Sequence, residues 1–72
     1  MTSLRKLFGL RLREIRKQRG MTQERLAESL DISVDFLSFM ERGIHAPSFE
    51  TIEKISKRLR ISVADLFTFP RS

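Results

Sequence analysis

The chain has no cysteine among its 72 residues. That excludes a disulfide framework and thiolate chemistry, and it suits a reducing compartment. A chain this short has a small core, which must suffice by packing or with the help of a partner. No apolar run approaches the roughly 20 residues that span a bilayer. Residues 7–10 follow a basic start but are too short and interrupted for a signal-peptide core. Both absences point to a cytoplasmic protein without a membrane partner. No segment alternates with period two over a useful length, so no strand is expected. Without an internal repeat, linker or low-complexity stretch, residues 1–72 read as a single domain. His45 is the only histidine, and no carboxylates cluster for it to join. With no GxSxG, no phosphate-binding glycine loop and no paired carboxylates either, the chain offers no metal site, cofactor, small-molecule ligand or catalytic apparatus. It is not expected to be an enzyme.

What is present is a globular balance, 40% apolar and 32% charged, which separates it from disordered chains. The net charge of +5 is unevenly placed. Residues 1–20 carry Arg5, Lys6, Arg11, Arg13, Arg16, Lys17 and Arg19 against Glu14 alone, a local +6 beside −1 for the remainder. Such a block suits a polyanionic partner, or simply keeps a helix face wet.

Apolar residues recur at helical spacing. Leu4, Phe8, Leu12 and Ile15 make one stripe of a first helix over about residues 3–19, widened by Leu7 and Leu10. Gly20 follows its basic last turn, a usual helix stop. Thr22 caps a second helix (22–30) with Leu26, Ala27 and Leu30 inward, and Ser33 caps a third (33–42) that buries Leu37 and Met40 and ends at Gly43. A fourth (48–60) presents Phe49, Ile52, Ile55, Ser56 and Leu59 inward. Ser62 opens a short fifth (62–68), which Pro70 stops. Four of these helices begin with Ser or Thr and an acidic residue two or three places on. The agreement of caps, stripes and stops predicts an all-α, compact five-helix bundle.

In order along the chain stand RLREIRKQRG (11–20), MTQERLA (21–27), Ile32-Ser33, Leu37-Ser38, Glu41-Arg42-Gly43, PSFET (47–51) and ISVADLF (61–67). This ordered set resembles the phage-repressor/Cro-type (XRE-type) helix-turn-helix DNA-binding family over nearly the whole chain. The resemblance implies a transcriptional regulator, a repressor by the family's name, that takes double-stranded DNA as partner and lays its third helix in the major groove. It also implies that Thr22, Gln23 and Arg42 approach the DNA backbone, and that Arg16 pairs with Glu41 to lock the reading helix to the scaffold. His45, in the loop after the third helix, joins the backbone set as a phosphate contact, or is a plain solvated residue.

For base reading the resemblance points to Ser33, Val34, Asp35, Ser38 and Phe39, a set poor in donors. Val34 and Phe39 suit thymine methyl groups, and Asp35 suits a cytosine amino group. Asp35 equally suits the helix dipole, and Phe36 suits packing better than reading. The apolar residues Val34, Phe36 and Phe39 leave a second possibility open, a protein-interaction module such as an antitoxin or adaptor. Asp31 occupies the turn where such proteins usually carry glycine, and is expected to take positive φ.

One helix reads few base pairs, so a homodimer on two half-sites is expected. The crowded apolar residues Ile61, Val63, Leu66, Phe67 and Phe69 form the expected dimer interface. The alternative is that Leu66 and Phe67 close the core of a monomer.

Overall fold

A computed structural model describes residues 3–69. Five helices follow one another: α1 (Leu4–Gln18), α2 (Gln23–Leu30), α3 (Val34–Glu41), α4 (Phe49–Leu59) and α5 (Val63–Leu66). No strand occurs among the described residues. The all-α, five-helix expectation holds, with helix ends within a residue or two except that α5 is a single turn. Pro70, expected to stop it, lies outside the described residues.

Each start is fixed by the same device. Ser3, Thr22, Ser33, Ser48 and Ser62 sit in extended conformation, and each hydroxyl accepts from the backbone N–H three residues on. Each such cap is worth about 1 kcal/mol. The ends are equally regular. Gly20, Asp31, Gly43 and Arg60 all take positive φ. The next residue in each case, Met21, Ile32, Ile44 or Ile61, donates its N–H to the carbonyl five residues back. That bond satisfies a carbonyl left open by the helix end. Asp31, at φ 57°, adopts the left-handed conformation foreseen for the turn between α2 and α3.

The helices touch in a closed ring: α1 on α3, α3 on α2, α2 on α4, α4 on α5, and α5 back on α1. Phe8, Leu12 and Ile15 of α1, Leu26, Ala27 and Leu30 of α2, Leu37 and Met40 of α3, Ile55 and Leu59 of α4 and Leu66 of α5 fill the centre. Ala27 is fully covered where α2 and α3 meet, as a small residue at a close crossing should be. Two expected core residues are not there. Leu4 and Phe49 are 62% and 82% exposed. Both occupy the first turn of their helices, where the chain is still approaching the bundle and the neighbouring helix does not reach. The widened stripe also fails at Leu10, which is exposed.

Gly9 decides how closely α1 approaches α3. It is buried, and a Cβ there would lie 2.3 Å from the Met40 carbonyl oxygen and 2.7 Å from that of Glu41. Both are backbone atoms at the end of α3 and cannot swing aside. Gly9→Ala should therefore lower stability by about 1–3 kcal/mol through overpacking, although alanine is intrinsically the better helix former. Thermal unfolding followed by circular dichroism reads the sign. A raised melting temperature would mean the two helices are not in this contact.

Candidate nucleic-acid interface

The interface begins with a buried charge. Arg16 leaves the inner side of α1 and meets Glu41 in the last turn of α3 through two parallel bonds, Nε to Oε2 at 2.7 Å and Nη2 to Oε1 at 3.1 Å. Both residues are buried. The remaining guanidinium nitrogen Nη1 donates to the Met21 carbonyl at 2.9 Å, and the Gln23 amide donates to Glu41 Oε1 at 3.1 Å. One side-chain cluster thereby joins α1, the connection after it, the start of α2 and the end of α3. It supports the pairing expected for Arg16 and Glu41. Isolated charges could not stay buried, but a forked pair with its spare donor and acceptor occupied can.

Over this pair lies a crevice of about 220 Å³, lined by Arg13, Arg16, Gln23, Ser38, Glu41 and Arg42. Arg13 precedes Arg16 by three residues and so shares its side of α1, yet it is exposed. Sequence reasoning counted it only as part of a basic block; its spacing from Arg16 was the signal available. Gln23 is the first residue of α2, where backbone N–H groups lack helical acceptors. One of its two amide hydrogens is taken by Glu41, which leaves the other free. Thr22 is exposed beside it, its oxygen accepting from the Arg25 N–H. Cationic side chains from α1 and the α3 terminus thus flank the N-terminus of α2, an arrangement suited to phosphate oxygens.

The expected base-reading residues do not form a uniform face. Ser33 and Asp35 are exposed, with Ser33 also capping α3. Ser38 is half-buried and opens onto the crevice. Val34 and Phe36 are half-buried against the core. Phe39 is half-buried too, with the Arg42 guanidinium 5.1 Å from its ring centre and the His45 ring edge-on at 5.2 Å. Cation–π and aromatic contacts thus hold the ring against the end of α3, so only part of it remains open to a thymine methyl group. The same contacts place His45 and Arg42 side by side at the exit of α3. The apolar outer face of α3 is consequently smaller than its sequence suggests, which weakens the protein-interaction alternative.

Arg11 is taken out of the basic block. Its guanidinium donates to the Asp65 carbonyl at 3.2 and 3.1 Å and pairs with Glu14 at 2.6 Å, clamping α1 to α5. Arg5, Lys6, Arg13, Lys17 and Arg19 remain exposed.

The expected dimer residues are likewise divided. Leu66 has no exposed area and belongs to the core, so it has nothing to offer a partner; this corrects its assignment. Phe67 packs on Phe8 at 5.2 Å between ring centres, and Phe69 packs on Phe67 at 6.2 Å, both half-buried. Ile61 is partly buried against the core, and Val63 alone is well exposed. Among the described residues no group of acidic or histidine side chains is arranged to hold a metal ion, and no helix is long and apolar enough to cross a membrane.

Comparison with known proteins finds a family model described as helix-turn-helix matching residues 12–66. The control protein C.BamHI of Bacillus amyloliquefaciens is 41% identical over 68 residues, covering 93% of this chain and 84% of its own length. Among solved structures, the clp gene regulator ClgR from C. glutamicum superposes with a TM-score of 0.85 at 36% identity, covering 92% of this chain and 86% of that one. The restriction-modification controller protein C.Esp1396I, solved as a tetramer with its natural 35 base-pair operator, gives a TM-score of 0.80 at 28% identity over 93% of this chain and 88% of its own.

Glu41→Ala should cost about 3–5 kcal/mol, because it leaves the Arg16 guanidinium buried without its counter-charge. A chemical-denaturation curve with an unchanged midpoint would remove the pair from its structural role.

Proposed function

The chain belongs to the helix-turn-helix family, and from that membership we propose that it is a cytoplasmic, sequence-specific DNA-binding transcriptional regulator with no chemical step of its own. The observation that carries this reading is the crevice in which Arg13, Gln23, Ser38 and Arg42 meet beside the outer side of α3. Helix α3 enters the major groove. Thr22, Gln23, Arg13, Arg42 and His45 hold phosphates on either side of it and set the register without carrying sequence information. Ser33, Asp35 and Ser38 reach base edges, and the uncovered parts of Val34 and Phe39 meet thymine methyl groups.

With so few donors on α3, affinity comes largely from the backbone contacts and from the field of the exposed cations of α1. Specificity is then modest per copy, and two copies on adjacent half-sites make up the difference. Support for such association comes from C.Esp1396I, which assembles as a tetramer on its operator.

Selection of bound duplexes from a random pool should recover a two-fold symmetric sequence. On that duplex, Arg42→Ala and Arg13→Ala should weaken binding evenly across sequences, each lowering the slope of log affinity against log salt by about 1. No enrichment from the pool, with salt-insensitive binding, would favour a protein partner instead.

A further inference from the structure

The exit of α3 is organised around one residue, Phe39, through both its backbone and its ring. Its carbonyl accepts two N–H groups, from Ile44 at 2.8 Å and from His45 at 3.3 Å. With Gly43 at φ 74°, these bonds fold the chain back as soon as the helix ends. The ring receives the two polar side chains that the same turn carries. The Arg42 guanidinium lies 5.1 Å from its centre, and the His45 ring meets it edge-on at 5.2 Å. Phe39 itself belongs neither to the core nor to the apolar residues packed against it.

We propose that Phe39 is a positioning residue of the DNA contact, its ring holding Arg42 and His45 together as a preformed clasp for a backbone phosphate. This deepens the proposed function and rests on its reading of α3 as the groove helix. Among the described residues no carboxylate pairs with Arg42, and Glu41 beside it is committed to Arg16 and Gln23. The ring is therefore what restrains the guanidinium. A carboxylate in that place would occupy the N–H donors that a phosphate needs and cancel the charge that attracts it. An aromatic ring restrains the cation while leaving its charge in place. The restraint matters because a long side chain that is already ordered loses less freedom when it grasps its ligand.

The chemistry of the residue points the same way. A leucine would meet a thymine methyl group as well as a phenylalanine does, but it offers no π face to a cation and no partner to an imidazole edge. The ring is thus needed for the contacts to Arg42 and His45, and its role through them is blind to sequence. The backbone half of the turn does not depend on the side chain, since the Phe39 carbonyl keeps its two donors whatever residue stands there. Replacing the ring therefore loosens the clasp while leaving the turn formed.

The first test needs no DNA. In the free protein, ¹⁵N relaxation of the Arg42 Nε–H group should show restricted motion in the wild type and in Phe39→Tyr, and greater motion in Phe39→Leu. The second uses the duplex recovered by selection and its single-base variants, at low salt. Phe39→Leu should weaken binding about three- to fivefold on all of them alike. Phe39→Tyr, which keeps the ring, should recover most of that loss. In a background carrying both Arg42→Ala and His45→Ala, the same Phe39→Leu change should cost less than about twofold, because the side chains it positions are gone. A loss of equal size in that background overturns the proposal, as a purely structural role would produce it. So does a loss confined to duplexes altered at one base pair, which would make Phe39 a base reader alone. A Phe39→Tyr variant as weak as Phe39→Leu, or an Arg42 as mobile in the wild type as in Phe39→Leu, overturns it too. Selection that enriches no duplex overturns the proposed function and this role with it, whereas each of the other results leaves that function standing.

Discussion

The buried fork between Arg16 and Glu41 is the constraint on which the rest of the molecule depends. Core side chains are non-directional and would tolerate small rotations of α3 against α1. The fork does not, because its two bonds need a common plane and its remaining donor and acceptor are committed to Met21 and Gln23. The orientation of α3 is thus referred to α1 on one side and to the start of α2 on the other. Gly9 lets the backbones close to the distance at which the fork can form. An error in either would move the outer side of α3 relative to the crevice above the pair, and with it the relation between phosphate contacts and base contacts.

The same cluster explains a division of labour among polar side chains. Arg16 and Arg11 look like members of one basic block, yet both are consumed inside the fold, one by Glu41 and one by the Asp65 carbonyl and Glu14. Arg13, between them, is left free at the crevice. Arg42 is intermediate: it lines the crevice while its guanidinium rests on Phe39. That contact shields Phe39 from water and limits how far Arg42 can wander, so a side chain of high entropy is partly ordered before any ligand arrives.

Much of this was legible in the residues. Apolar stripes, Ser or Thr caps at four helices and the glycines that stop the first and third were enough to mark the five helices, because each is a local signal read within a few residues. Asp31 could be assigned a left-handed conformation for the same reason, whereas Arg60 could not, since arginine carries no sign of that preference. The family resemblance supplied the pairing of Arg16 with Glu41, which lie 25 residues apart and show no periodic relation.

What the sequence alone determined was the set of helices, their order, and the side of each that turns inward where the pattern runs through full turns. Tertiary structure decided the rest. It placed Leu66 in the core and left Phe49 outside, although both are apolar residues at helical spacing. It drew Phe39 down onto Arg42 and His45, and chose which of several arginines would be spent on the interior. The reason is common to these cases: burial at a helix end or on a half-covered side depends on whether another element reaches that far, and that reach is a property of the assembled bundle rather than of any stretch within it.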